Sequence, residues 1–387
     1  MNTPPSAPGA DRTDGSAVRI GALVPLTRPG WVESGQHLLA GLELAVDEIN
    51  DAGGIAGKPL QLVVRGTAAD PQRAAAAVDE LAQLGVAALA GEYHSVVARA
   101  AAARADALGL PFLCSSAVLD ALTDEPTPWV ARLAPAQSHG WQIYADFLLS
   151  AGYSRIAVAT EPSVYWASGA DILRDYLAPR GGTVIELDAR SLVCDELVDN
   201  RATALLLLVG NPEPAVSIVK AVRRDQRLAE ILIGAPAGQP ESAEWARLLG
   251  DDGAAIPFLR YLPERLGPLG ARVETAPRER LAEAPSFVAF EGYDTITVLA
   301  EVLRSHGVDR SRTAESWPLV AVEGTRGRIQ FSRTTGISVW QWAWAPVQVV
   351  DRDPASPERF RILHAGRPRA ASTSWSSVTA GTGCRHG

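Results

Sequence analysis

The feature that most constrains this chain is an alternation that begins at Val18, in which short apolar runs are each followed by an amphipathic stretch of helix length. VRIGALVPL, LQLVVRG, VAALAGEY and PFLCSS have the apolar density of buried strands. GLELAVDEINDAGG, PQRAAAAVDELAQLG and RAAAARADALGL lie between them with helical spacing, the first closed by Gly53 and Gly54. Strands separated by helices are parallel, because a crossover of that length returns the chain to the same end of the sheet with a right-handed turn. The rhythm breaks at the proline-rich PTPWVARLAPAQSHG and restarts with WQIYADFLLSAG, RIAVATE, ASGADILRDYLAPRGG, TVIELD, ATALLLLVG, PAVSIVKAVRR and ILIGA. The fold class is therefore α/β, with two Rossmann-like lobes on parallel sheets joined near Arg132 to Gln137.

The expected boundaries are 18–134 with 262–336 for the first lobe and 135–261 with 337–365 for the second. Residues 1–17 and 366–387 contain few large apolar side chains and are expected to be disordered. In VWQWAWAPVQVVD, Trp340, Trp342 and Trp344 alternate, so all three are expected on one face of a strand, packed as core.

Composition narrows the function. A net charge of -8 and a pI near 5.4 argue against a nucleic-acid partner, which would need clustered Lys and Arg. The longest apolar run, ALLLLVG, is too short to cross a bilayer, so no membrane insertion is expected. Cys114, Cys194 and Cys384 show neither C-x-x-C nor metal-ligand spacing, so neither a metal nor a disulfide framework is expected. The N-terminus lacks the basic start and apolar core of a secretory leader and reads as cytoplasmic as written, or extracytoplasmic if a leader has been removed.

Motifs for chemistry are missing. GGIAGKP has the wrong glycine spacing for a phosphate loop and lacks the following Ser or Thr, and no G-x-G-x-x-G follows the first strand, so no cofactor is expected. Ser95 has no G-x-S-x-G elbow, and the six histidines suggest no triad; the chain is read as non-catalytic. What recurs instead is a set of polar and aromatic residues following strand ends, where open α/β sheets bind ligands. They are Trp31, then Tyr93 and Ser95, then Ser115, Ser116 and Ala117 in the first lobe, and Tyr165, Trp166 and Asn211 in the second. His94 is read as incidental. Hydroxyls and helix-start amides suit an anionic or amide group, and rings suit its cover.

The order IGALVPL, AGLELAVDEINDAGGIAGKPL, AGEYHS, PFLCSSAVLDALT and YSRIAVATEPSVYWASGADILRDYLAPRGGTVI, within a span from about Val18 to about Leu363, resembles the type I periplasmic-binding fold. It resembles in particular the substrate-binding proteins of branched-chain amino acid ABC transporters, with features of the amide-sensor and urea-binding branch. The resemblance implies that Ser95 and the group Ser115, Ser116 and Ala117 hold a ligand carboxylate, with Val118 where a hydroxylic residue is common, and that Tyr165 closes over the ligand. It also implies a second-lobe acid for an ammonium, yet GAPAGQP has none and the position near Asn211 lacks the usual aromatic; Glu161 or another acid would have to reach in. The resemblance implies that the lobes are joined by a three-stranded hinge, with crossings expected near Arg132, Tyr261 and Gly336. The implied function is a solute-binding protein that closes two lobes over an amino acid, amide or related amphipathic compound for an ABC permease. The alternative is a cytoplasmic ligand sensor acting on a regulatory partner.

Overall fold

The computed structural model describes residues 17–366; the expectation of disordered ends falls on residues outside that range, save Ala17 and Gly366 at its limits. In the first lobe, β1 (Val18–Val24), α1 (Val32–Asp51), β2 (Leu60–Gly66), α2 (Pro71–Gln83), β3 (Ala88–Gly91), α3 (Ser95–Ala107), β4 (Phe112–Cys114) and β5 (Val130–Arg132) follow the expected alternation, β5 having been hidden in the proline-rich break. The second lobe repeats it with α4 (Gln137–Ser150), β6 (Arg155–Thr160), α5 (Val164–Leu177), β7 (Thr183–Asp188), α6 (Cys194–Asp199), β8 (Ala204–Leu208), α7 (Ala215–Arg224), β9 (Leu232–Gly234) and α8 (Ala243–Leu249). The rest of the chain is shared: β10 (Phe258–Arg260), α9 (Pro268–Thr275), α10 (Arg278–Leu281), α11 (Phe287–His306), α12 (Arg310–Glu315), β11 (Val322–Gly324), β12 (Gly327–Ile329), β13 (Phe331–Ser332), β14 (Trp340–Trp342), β15 (Gln348–Asp353) and β16 (Ser356–Ala365).

The first sheet runs β13-β14-β5-β4-β3-β1-β2 and is parallel except for β13. The second runs β7-β6-β8-β9, all parallel. Both sheets place an early strand inside and reverse direction beside it, and the crevice at such a reversal is where open α/β sheets take ligands. A three-stranded antiparallel sheet, β10-β15-β16, extends the second lobe.

Two expectations are corrected here. Gly336 lies in the connection between the paired strands β13 and β14, and β14 joins β5 in parallel, Gln341 opposite Arg132. The third crossing therefore comes after Trp342, and residues 337–342 belong to the first lobe. The three tryptophans also separate: Trp342 is buried, Trp340 is half-buried with Arg333 stacked 4.4 Å over its ring, and Trp344 is 42% exposed. The strand ends at Trp342, so alternation stops deciding which way Trp344 points.

The late helix α11 is bolted to the first lobe through α1. A Cβ on Gly41 would stand 1.9 Å from the carbonyl oxygen of Ala289, and one on Gly292 would stand 2.4 Å from that of Leu38. Backbone against backbone leaves no side chain able to give way, so the glycines set the separation of the two helices. Gly41→Ala is expected to destabilise the protein by about 1–3 kcal/mol despite the better helix propensity of alanine. A denaturant midpoint equal to or above wild type would contradict the close crossing.

Candidate functional site

The site begins at the end of β3. Gly91 has φ +107°, and a Cβ there would meet the Leu23 carbonyl oxygen at 2.1 Å, so only glycine lets the chain leave the sheet here. Glu92 then turns fully inward. Its Oε1 accepts the backbone N–H groups of Tyr93 (2.9 Å) and His94 (3.0 Å), and its Oε2 accepts the Thr67 hydroxyl (2.7 Å). Burial pushes its pKa up to about 7, against these three donors, which favour the carboxylate.

Held this way, Tyr93 and His94 project into the space between the lobes and meet Trp31, with ring centroids 5.3–6.3 Å apart. His94 is thus not incidental. Its Nε2 accepts the Trp31 N–H at 3.1 Å, and burial holds its pKa down to about 4, so it is a neutral ring that fixes the start of α1.

Ser95 opens α3, and its Oγ accepts the N–H groups of Val118 (3.1 Å) and Leu119 (3.2 Å). The carbonyls of the same two residues accept Arg132 Nη1, whose Nε donates to Gln341 Oε1 at 2.7 Å. Arg132, fully buried, thereby ties the loop after β4 to the hinge strand. With both lone pairs engaged, the Ser95 hydroxyl keeps one proton to donate.

A cavity of about 250 Å³ lies against these groups. The first lobe contributes Trp31, Tyr93, His94, Ser95, Ser116 and Val118 to its wall, and the second contributes Ser163, Tyr165, Trp166, Gly210 and Ala237, with Tyr261 and Phe287 between them. The rings of Tyr165 and Trp166 lie 4.7 Å apart, and Tyr165 packs edge-on against Trp141. Every side chain in this wall is uncharged, His94 being neutral.

Of the residues expected from sequence, Trp31, Tyr93, Ser95, Ser116, Tyr165 and Trp166 meet at this cavity. Ser115, Ala117 and Asn211 stand outside its wall. Ser115 Oγ accepts the Gly91 N–H and pairs with Thr295 at 2.7 Å, joining β3 to α11. Ala117 is packed in the core, and Gly210 takes the place on the wall expected for Asn211. Glu161 is spent on the Gly210 N–H at 2.9 Å. His94, Arg132 and Glu92 were missed because no local motif marks them; the glycine before Glu92 was the one available signal.

The lobes also touch outside the cavity. Glu33 of α1 accepts the Ala243 N–H at 2.8 Å, Arg28 pairs with Glu244 at 3.1 Å, and Glu241 accepts the Phe287 N–H at 3.3 Å. Among the described residues, Glu33, His37 and Glu283 bring one potential metal-ligand atom each within 4.8 Å of the others. The hydrogen bonds argue against a metal there: His37 Nδ1 accepts the Ser286 N–H, so its proton sits on Nε2 and points to Glu283. The cluster is an extension of the seam.

Two α/β lobes with a ring-lined cavity at the facing strand ends define a two-lobed ligand-binding protein. The family model described as "Periplasmic binding protein" matches residues 17–352, and the chain belongs to that family. A curated relative, Leu/Ile/Val-binding protein homolog 8 of Brucella abortus (strain 2308), is 32% identical over 178 residues, 43% of this chain and 44% of the relative; the match thus spans less than half the relative's length. The leucine-binding protein LivK of Thermotoga maritima MSB8 superposes with a TM-score of 0.76 at 18% identity, over 91% of this chain and 99% of that one. An R. palustris ABC-transporter solute-binding protein solved with benzoate also superposes at 0.76 and 18% identity, over 91% and 97%. At these identities the two structures show the α/β two-lobe fold that this chain shares with them.

The seam makes a prediction. Glu33→Ala removes the acceptor that one lobe offers the other, so the ligand-free protein should shift toward an open form with a larger radius of gyration in small-angle scattering. An unchanged scattering profile would mean that Glu33 does not hold the lobes together.

Proposed function

We propose that this protein binds a small carboxylic acid with an aromatic or bulky apolar body between its lobes and presents the closed complex to an ABC permease for uptake. The observation that carries this reading is the wall of the cavity, uncharged and rich in rings around about 250 Å³. A planar ring would lie among Trp31, Tyr93, Tyr165 and Phe287, where burial and edge or offset contacts favour it.

The carboxylate would lie at the start of α3. Ser95, Val96 and Val97 belong to the cavity wall, and the first amides of a helix have no intrahelical acceptor. The Ser95 proton and the Ser116 hydroxyl, which is buried and without a hydrogen-bond partner among the described residues, complete the set of donors. Benzoate, the ligand of the R. palustris structure, fits this description. The leucine-type ligand of the other relatives would bring an ammonium into a wall without an acidic side chain, and an unpaired buried charge is costly.

Calorimetry and thermal melting with benzoate, benzamide and leucine test the reading. Benzoate at about 100 times its dissociation constant should add roughly 2.7 kcal/mol of stability, with a much smaller shift for leucine. Tyr165→Ala should weaken benzoate roughly tenfold or more, with little loss of melting temperature. A strong leucine response with none from benzoate would replace the aromatic acid by an amino acid, and an unchanged Tyr165→Ala affinity would remove that ring from the site.

A further inference from the structure

We propose that Glu291 is a specificity-determining residue of the cleft, deciding through Ser116 whether the ligand's polar end is received as a hydrogen-bond acceptor or as a donor. The proposal rests on the binding reading above and deepens it.

Glu291 lies one turn beyond the cavity residue Phe287 on α11, and residues four apart share a helix face. Its side chain is wholly buried. Oε1 is engaged by Arg326 at 3.1 Å, whereas Oε2 has no hydrogen-bond partner among the described residues. Ser116, on the cavity wall, is the neighbouring hydroxyl; it approaches Glu291 without forming a hydrogen bond of good geometry. Two oxygens without a partner among the described residues thus belong to neighbouring side chains, one of them on the cavity wall, and buried groups of this kind carry a cost until something pairs with them.

The charges nearby set the balance. Asp294 on the same helix takes Arg326 Nε at 2.9 Å, so two buried carboxyls share one guanidinium. Tyr93 and Tyr261, the other titratable groups that feel Glu291, are kept as neutral phenols by burial. With both acids ionised the cluster holds an uncompensated negative charge, and protonating Glu291 neutralises it. Burial, opposed by Arg326, brings that protonation to about pH 7.

Ser116 has one proton to place. Beside an ionised Glu291 it donates inward and offers the ligand only lone pairs, which suit an amide N–H. Beside a neutral Glu291 it accepts the carboxylic proton and donates outward, which suits a carboxylate. Binding a carboxylate therefore favours neutral Glu291, and above pH 7 this requires uptake of one proton from solvent.

The test is calorimetry of benzoate binding from pH 5.5 to 8.5, repeated at pH 8 in two buffers of different ionisation enthalpy. Affinity should be flat at the acid end and fall by up to about tenfold per pH unit above neutrality, with one proton taken up at pH 8. Benzamide, able to present either C=O or N–H, should show little slope. Glu291→Gln and Ser116→Ala should both abolish the slope and the proton uptake; Ser116→Ala leaves the Arg326 cluster intact if Glu291→Gln folds poorly. Benzoate binding without pH dependence, or a slope that survives Ser116→Ala, overturns the proposal. If neither benzoate nor benzamide binds at any pH, the binding reading itself fails and this inference with it.

Discussion

The cleft depends on one buried carboxyl. Glu92 collects the backbone amides of the two residues that follow it and the hydroxyl of Thr67 after β2, so a turn that would otherwise strand its polar groups is satisfied from within. That turn aims Tyr93 and His94 at the facing lobe, and His94 in turn receives the N–H of Trp31 before α1. Three strand ends of the first lobe are thereby linked through Glu92, and the walls they offer a ligand move as one piece. The requirement reaches back to Gly91, whose positive φ and close approach to Leu23 leave no room for a side chain.

A second anchor acts on the other side of the same wall. Ser95 and Arg132 grip the peptides of Val118 and Leu119 from opposite ends, the serine by their N–H groups and the arginine by their carbonyls. Because Arg132 also bonds to Gln341 in β14, the loop that lines the cavity is fastened to the strand from which the chain departs for the second lobe. A movement of the lobes about this hinge would therefore be felt at Ser95 and Ser116.

Much of this architecture was legible in the chain because burial writes itself into local pattern. The strand at Ala204–Leu208 is an unbroken apolar run, since both its faces are covered, and the helix at Val32–Asp51 shows a buried stripe where it lies on the sheet. Residues directly after strand ends, such as Tyr93, Ser95 and Tyr165, could be singled out because a parallel sheet places those ends together. The same reasoning failed at Val130–Arg132, three residues among prolines that become a strand only because β4 and β14 lie on either side. It failed again at Trp344, where the strand stops one turn too soon for alternation to hold.

The period and length of the apolar runs carry the alternation of strands and helices, the parallel sense of the two main sheets and the end of each sheet at which a ligand would sit. Only the tertiary structure decided which side chains face that ligand. Ser115 and Ser116 are neighbours of the same chemistry, yet one is consumed by Gly91 and Thr295 and the other reaches the cavity. Glu291 comes close to Ser116 from 175 positions further along the chain (291 − 116), and its pairing with Arg326 brings together groups from separate elements. Such meetings are set by the packing of α11 against α1, where two glycines let the helices touch, and no local pattern records a contact made over that distance.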